Sequence, residues 1–188
     1  TILMPQDKVK TMLRRTSFAV STDENRYVLN GLYLSFKESK LTMVATDGRR
    51  LALAEEDMEL PGDSPMELIV PTKAIQELSR QLGEEGNVEI QITENQVSFG
   101  LEEKQGKGSL IVSKLVEGAY PNYKQVIPAE SQHRVTLDKE ELFHALRRAE
   151  IMTSEKANSV KLTFTENNLT FTANSPEVGE SRESMAIK

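Results

Sequence analysis

The sequence predicts an α+β fold built by repeating one unit: a short strand, a helix, then antiparallel strands. Three observations lead there. A helix-start signal recurs after a short apolar stretch in the segments 2–13, 68–82 and 135–149. An alternating hairpin follows each helix, at Phe36–Met43, Ile92–Phe99 and Phe164–Phe171. The copies are evenly spaced, with Met4, Val70 and Leu137 lying 66 and 67 residues apart.

Each repeat opens on a stretch that reads as a strand, around Ile2, Leu68 and Val135. The helix starts are Pro5-Gln6-Asp7, Pro71-Thr72-Lys73 and Asp138-Lys139-Glu140-Glu141. Proline suits the first helical turn, and Asp138 with Glu141 three residues on resembles a capping box. Apolar residues then fall at helical spacing: Val9, Met12 and Leu13; Ile75, Leu78 and Leu82; Leu142, Ala145, Leu146 and Ala149. The predicted helices cover 7–15, 71–82 and 138–150. The hairpins alternate apolar and polar residues around a Glu-Ser or Glu-Asn turn, so each strand buries one face. Such sheets need a cover on the apolar face, and the striped helices supply it.

Two repeats can share one core, which predicts a complete domain over 1–123. The stretch 124–132, with Pro128 and several polar residues, reads as a linker. Residues 133–188 form a single repeat, half of a further domain. The chain opens on Thr1 rather than methionine and closes at Lys188 just after an alternating segment, which reads as a piece of a longer protein.

The chain has no cysteine, which excludes disulfides, thiolate metal sites and thiol nucleophiles. No apolar run approaches the ~18 residues of a membrane span. The net charge of −6 argues against a strong nucleic-acid binder, but the charge is segregated. The three predicted helices hold nine basic against six acidic residues, +3, and the rest holds 14 against 23, −9. Several helical acids sit at helix starts, where they answer the dipole, so later turns are more basic. A mild positive helix surface would favour loose, sequence-independent contact with phosphates.

Catalytic constellations are sparse. His133 and His144 are the only histidines, and no dinucleotide, Walker or G-x-S-x-G motif occurs. Gly106-Lys107-Gly108 is too short to cradle a phosphate. Asp47 beside Arg49 and Arg50 is the one pairing from which a small hydrolase could start, and Asp47-Gly48 is first a turn signal. No cofactor and no metal are expected.

Three further stretches stand in order: Tyr27-Val28-Leu29-Asn30-Gly31; then 45–52, Ala-Thr-Asp-Gly-Arg-Arg-Leu-Ala; then 113–123, Ser-Lys-Leu-Val-Glu-Gly-Ala-Tyr-Pro-Asn-Tyr. With the Asn174-Ser175-Pro176-Glu177 region, they closely resemble the bacterial DNA polymerase III beta-subunit family, the sliding clamps. The resemblance implies the DNA-clamp fold. It implies a second domain over 1–123 and the first half of a third over 133–188, with the first domain and the rest of the third lacking. Members are head-to-tail homodimeric rings whose helices line the hole and whose sheets face outward. Their role is non-catalytic and cytoplasmic: the ring slides on duplex DNA and tethers the replicative polymerase, the clamp loader and repair proteins, which insert linear peptides into a pocket.

The pocket positions implied are Leu29, Thr46, Gly48, Arg49, Arg50, Leu51, Pro121 and Val126. Leu29, Leu51, Pro121 and Val126 suit an apolar anchor, Gly48 admits close backbone approach, and Arg50 suits a carbonyl or acidic group. Two positions depart from the family: Arg49 stands where histidine is common, and Gln125 where a basic residue is. The family strand that forms the other pocket wall lies outside this chain. The DNA-facing positions implied are Lys10, Lys73, Arg80 and Arg148, with Tyr27.

Overall fold

In a computed structural model the described residues are 1–59, 65–102, 108–131, 133–153, 159–177 and 179–187. They fall into two compact units, Thr1–Asn122 and Tyr123–Lys188.

The first unit holds two copies of the strand–helix–strands repeat. In the first copy, β1 (Ile2–Pro5) and α1 (Gln6–Thr16) precede β2 (Gly31–Lys37), β3 (Lys40–Thr46) and β4 (Leu51–Asp57). In the second, β5 (Met66–Pro71) and α2 (Thr72–Gln81) precede β6 (Asn87–Ile92), β7 (Gln96–Leu101) and β8 (Ser109–Lys114). The helices agree with the apolar spacing to within a residue at each end. α1 buries Val9, Met12 and Leu13, and α2 buries Ala74, Ile75 and Leu78. The β2–β3 turn places Glu38 and Ser39 at φ of 54° and 55°, as tight hairpins favour.

The opening strands are exchanged between the two copies. β1 pairs antiparallel with β6, and β5 with β2, giving two four-stranded sheets in the orders β1-β6-β7-β8 and β4-β3-β2-β5. Met4 thus faces Val88, and Val70 faces Leu32. The helix starts repeat the exchange. The first N–H of α1, on Gln6, donates to Gly86 of the second copy at 3.0 Å, and that of α2, on Thr72, donates to Asn30 of the first at 3.2 Å. Pro5 and Pro71 bring no side-chain cap, and these bonds across copies do that work. The buried Gln6 side chain also bridges the carbonyls of Asn87 and Glu102 and the N–H of Gly83. A single hydrophobic core therefore runs through both copies, from Leu13 and Phe36 to Ile90 and Phe99. Each such side chain contributes about 1.5–3 kcal/mol on burial.

The second unit holds one copy: α3 (Lys139–Glu150), then β9 (Lys161–Thr165), β10 (Asn168–Ser175) and β11 (Gly179–Ala186) in the sheet order β11-β10-β9. Asp138 caps α3 as expected, its carboxylate accepting the Glu141 N–H at 2.9 Å. The turn before β10 holds Asn167 at φ 58°. Ala145 and Ala149 of α3 cover Leu169, Phe171 and Ala173 of β10.

One expectation fails here. Residues 135–137 form no strand. In the first unit the opening strand pairs with the other copy's sheet, and residues 123–188 contain one copy only. The linker expected at 124–132 includes a 3₁₀ turn at Tyr123–Gln125, and residue 132 lies outside the described residues. Residues 106 and 107 of the Gly-Lys-Gly stretch also lie outside them.

Candidate functional site

The pocket positions of the first unit gather around the β3–β4 turn. β3 ends at Thr46 and β4 begins at its partner Leu51, leaving a four-residue loop. Hydrogen bonds from its own side chains define this loop. The Thr46 hydroxyl donates to the Arg50 carbonyl at 2.8 Å and accepts the Gly48 N–H at 3.1 Å. One Asp47 carboxylate oxygen accepts the N–H groups of Arg49 and Arg50, at 2.9 and 3.0 Å. The other accepts Nε of Arg50 at 3.1 Å. The two backbone N–H groups chiefly, and the Arg50 guanidinium after them, hold the Asp47 carboxyl below its usual range. That carboxylate is a turn-former with its lone pairs engaged, which leaves the hydrolase reading without a base.

Arg50 is fixed as well. Besides Asp47 it donates to the Phe18 carbonyl at 3.0 Å, and its guanidinium carbon lies 5.6 Å from the centre of the exposed Phe18 ring. The sequence reading offered Arg50 to an incoming peptide, whereas the structure shows it first as a strut joining the β3–β4 turn to the chain after α1. Gly48 has φ +83°, and a Cβ there would meet Nη1 of Arg26 at 2.5 Å. Arg26 in turn donates to the Asp47 carbonyl at 3.4 Å. Glycine is therefore required by both conformation and space. Arg26, Phe18, Asp47 and Arg50 line a depression of about 400 Å³. Arg26 and Phe18 were not among the expected residues. Their role comes from contacts 21 and 32 residues away in sequence, to Asp47 and Arg50, which no local pattern carries.

Leu29 is buried at the end of a 3₁₀ segment (Glu24–Leu29), its carbonyl accepting the Ser21 N–H. Leu51 is half-buried and Thr46 intermediate, while Arg49, Arg50 and Pro121 are exposed. The segment carrying Pro121 crosses the same end of the unit. Gly118 lies against Val28 and Tyr27, and Tyr120 stacks on Tyr33 with ring centres 4.9 Å apart. Burial pushes the Tyr120 hydroxyl up to about 12. The structure thus brings the segments carrying Leu29, Thr46–Leu51 and Pro121 to one end of the first unit. Val126 belongs to the second unit, where it is exposed.

Of the expected DNA-facing residues, Lys73, Arg80 and Arg148 are exposed on their helices and Lys10 is half-buried, and most of them are paired. Lys10 bonds Glu84 at 2.6 Å, Arg80 bonds Glu77 within α2, and Arg148 clasps Glu183 of β11. No ion pair is recorded for Lys73 among the described residues, and Tyr27 is 60% exposed. Arg14 and Arg15 in the last turn of α1 are also exposed and were passed over by the residue-by-residue assignment. Exposed pairs of this kind contribute about 0–1 kcal/mol and exchange readily. No helix among the described residues is long and apolar enough to cross a membrane, and no cluster there has the makings of a metal site.

Comparison with known proteins bears on the family and the fold. The family model for the DNA polymerase III beta subunit, central domain, matches residues 3–122, and that for its C-terminal domain matches residues 124–188. The chain is 37% identical over 184 residues to the beta sliding clamp of Chlamydia pneumoniae, covering 98% of this chain and 49% of that protein. It is 35% identical to the beta sliding clamp of Bacillus subtilis, covering 95% and 47%. Among solved structures, the DNA polymerase III subunit beta from Pseudomonas aeruginosa superposes with a TM-score of 0.90 at 33% identity, covering 100% of this chain and 51% of that one. The chain spans about half the length of the relatives it matches. Its sequence, its repeated strand–helix–sheet architecture and these matches together place it in the DNA polymerase III beta-subunit family.

Proposed function

We propose that this chain is part of a sliding clamp, a non-catalytic processivity factor that encircles duplex DNA and tethers the replicative polymerase. The observation that carries the reading is the match of both family domains, in order, along the whole chain. The whole protein is a head-to-tail homodimeric ring in the cytoplasm. Its partners, the polymerase, the clamp loader and repair proteins, bind through linear peptides.

The first unit supplies one wall of the peptide pocket. Leu29, Leu51 and Pro121 offer apolar surface, Thr46, Gly48 and Arg49 the rim, and Arg50 a fixed cation whose position the Asp47 and Phe18 contacts set in advance. Pre-set geometry lowers the ordering cost of binding a short peptide.

DNA contact is loose. Lys10, Arg80 and Arg148 trade weak intramolecular ion pairs for phosphates, while Lys73 and Tyr27 lie open to the duplex. Such exchange costs little in either direction, which suits sliding.

The test uses the full-length parent. A fluorescent peptide from a clamp-binding polymerase is titrated against wild type and Leu51→Asp. A charge in the apolar anchor site should weaken binding by at least tenfold. Equal affinity would remove the pocket assignment.

A further inference from the structure

The sheet β4-β3-β2-β5 of the first unit turns one face to the core through Leu32, Leu34 and Phe36. On its other face the strand register sets Leu51 and Thr46 in one row and Leu53, Val44, Tyr33 and Ile69 in the next. Thr46 and Leu51 belong to the proposed peptide pocket. Val44, Tyr33 and Ile69 are buried although they point away from the core. The segment 115–121 covers them. Its Val116 N–H donates to the Ile69 carbonyl and its Leu115 N–H to that of Asn95, each at 2.9 Å, and the Tyr120 ring stacks on Tyr33. The cover is incomplete. A groove of about 710 Å³ runs beside the segment, lined by Tyr33, Ile69 and Tyr120 and by three carboxylates, Glu67, Glu94 and Glu117, against one cation, Lys114. The three carboxylates are exposed, and none is ion-paired with a described residue. The groove is continuous with the pocket. Tyr120 is followed directly by Pro121, and the Tyr33–Ile69 row lies two residues, about 7 Å, from the Thr46–Leu51 row.

We propose that this groove takes a basic segment flanking the apolar anchor of the partner peptide. The inference rests on the pocket reading above and adds a second contact to it. Lysine or arginine stems lie along Tyr33 and Tyr120, and their cations stand beside Glu67, Glu94 and Glu117. Reach sets the spacing. Through Thr42 and Ser35 the register puts Glu67 four residues along the strands and two strands across from Thr46. That is about 16 Å, which an extended chain spans in about five residues. The basic residues therefore stand about five positions from the anchor. The same charge repels a phosphate backbone, so the groove selects a peptide and leaves duplex DNA to the helices.

The test titrates fluorescent peptides against the full-length parent: the anchor peptide alone, and the same peptide carrying Lys-Arg-Lys about five residues from the anchor on one flank or the other. In about 50 mM salt one extended peptide should bind about tenfold tighter than the anchor alone, and the gain should shrink below about threefold in about 500 mM salt. The triple variant Glu67→Gln, Glu94→Gln, Glu117→Gln should lose the gain while binding the anchor peptide as wild type does. The triple variant Glu59→Gln, Glu130→Gln, Glu166→Gln removes the same charge from exposed sites outside the groove and should keep the gain. An extension that adds nothing on either flank, or a gain that the two triple variants keep or lose alike, overturns the groove assignment and leaves the pocket standing. An anchor peptide that does not bind wild type removes both.

Discussion

Replacing Gly31 by alanine tests the strand exchange inside the first unit. Gly31 opens β2 opposite Pro71, where the borrowed strand β5 hands over to α2. A Cβ there would stand 2.7 Å from Cγ2 of Ile69, 2.7 Å from the Val70 carbonyl oxygen and 3.2 Å from its carbon. Two of the three obstacles are backbone atoms, so no rotamer change relieves the clash and β2 and β5 must separate. Overpacking of this sort costs about 1–3 kcal/mol. The movement also strains the bonds from the Thr72 N–H and hydroxyl to the Asn30 carbonyl, each worth about 1 kcal/mol. Restricting the unfolded chain returns roughly 0.4–1 kcal/mol. The net loss should be about 2–3 kcal/mol, a fall of about 1–1.5 M in the urea midpoint at a slope of roughly 2 kcal/mol/M. Gly100→Ala is the control, since its Cβ would meet only Glu89 of the neighbouring β6 at 3.7 Å, an ordinary contact. Urea unfolding followed by circular dichroism compares the two. If both variants unfold within about 0.5 kcal/mol of each other, the close approach of β5 to Gly31 is not what sets this seam.

The Asp47 turn should be sensitive to acid. Its carboxyl titrates below the usual range in the folded chain, so the turn gains stability above the unfolded value of about 3.9 and loses it as pH falls through the lower folded value. NMR titration of the Arg49 and Arg50 amides should give a midpoint below 3.9, and a midpoint at or above that value would contradict the hydrogen bonding described. In the second unit, Phe171→Ala should cost about 3–5 kcal/mol because the ring is fully buried under α3. Amide exchange should show that loss in β9–β11 while α1 and β2 keep their protection.

Much of the fold was legible in local patterns. The apolar spacings located all three helices to within a residue, and the alternating segments located the three hairpins, because 3.6- and 2-residue periods are written in adjacent residues. The exchange of β1 and β5 was not legible, since Met4 and Val88 pair across 84 positions and nothing near either names the other. The same blindness produced the strand wrongly expected at Val135. At the site, Asp47-Gly48 announced a turn, yet the strut from Arg50 to Phe18 and the cover of Gly48 by Arg26 are long-range contacts. Charge counting found basic helices, but the pairing of Lys10 with Glu84 and of Arg148 with Glu183 depends on the folded chain.

The most direct test of the clamp reading is topological. The full-length parent, loaded onto a nicked circular duplex and passed through a sizing column in moderate salt, should elute with the DNA and be lost when a single restriction cut gives the duplex an end. Retention that is equal on circular and linear DNA, or absent from both after loading, would contradict an encircling ring.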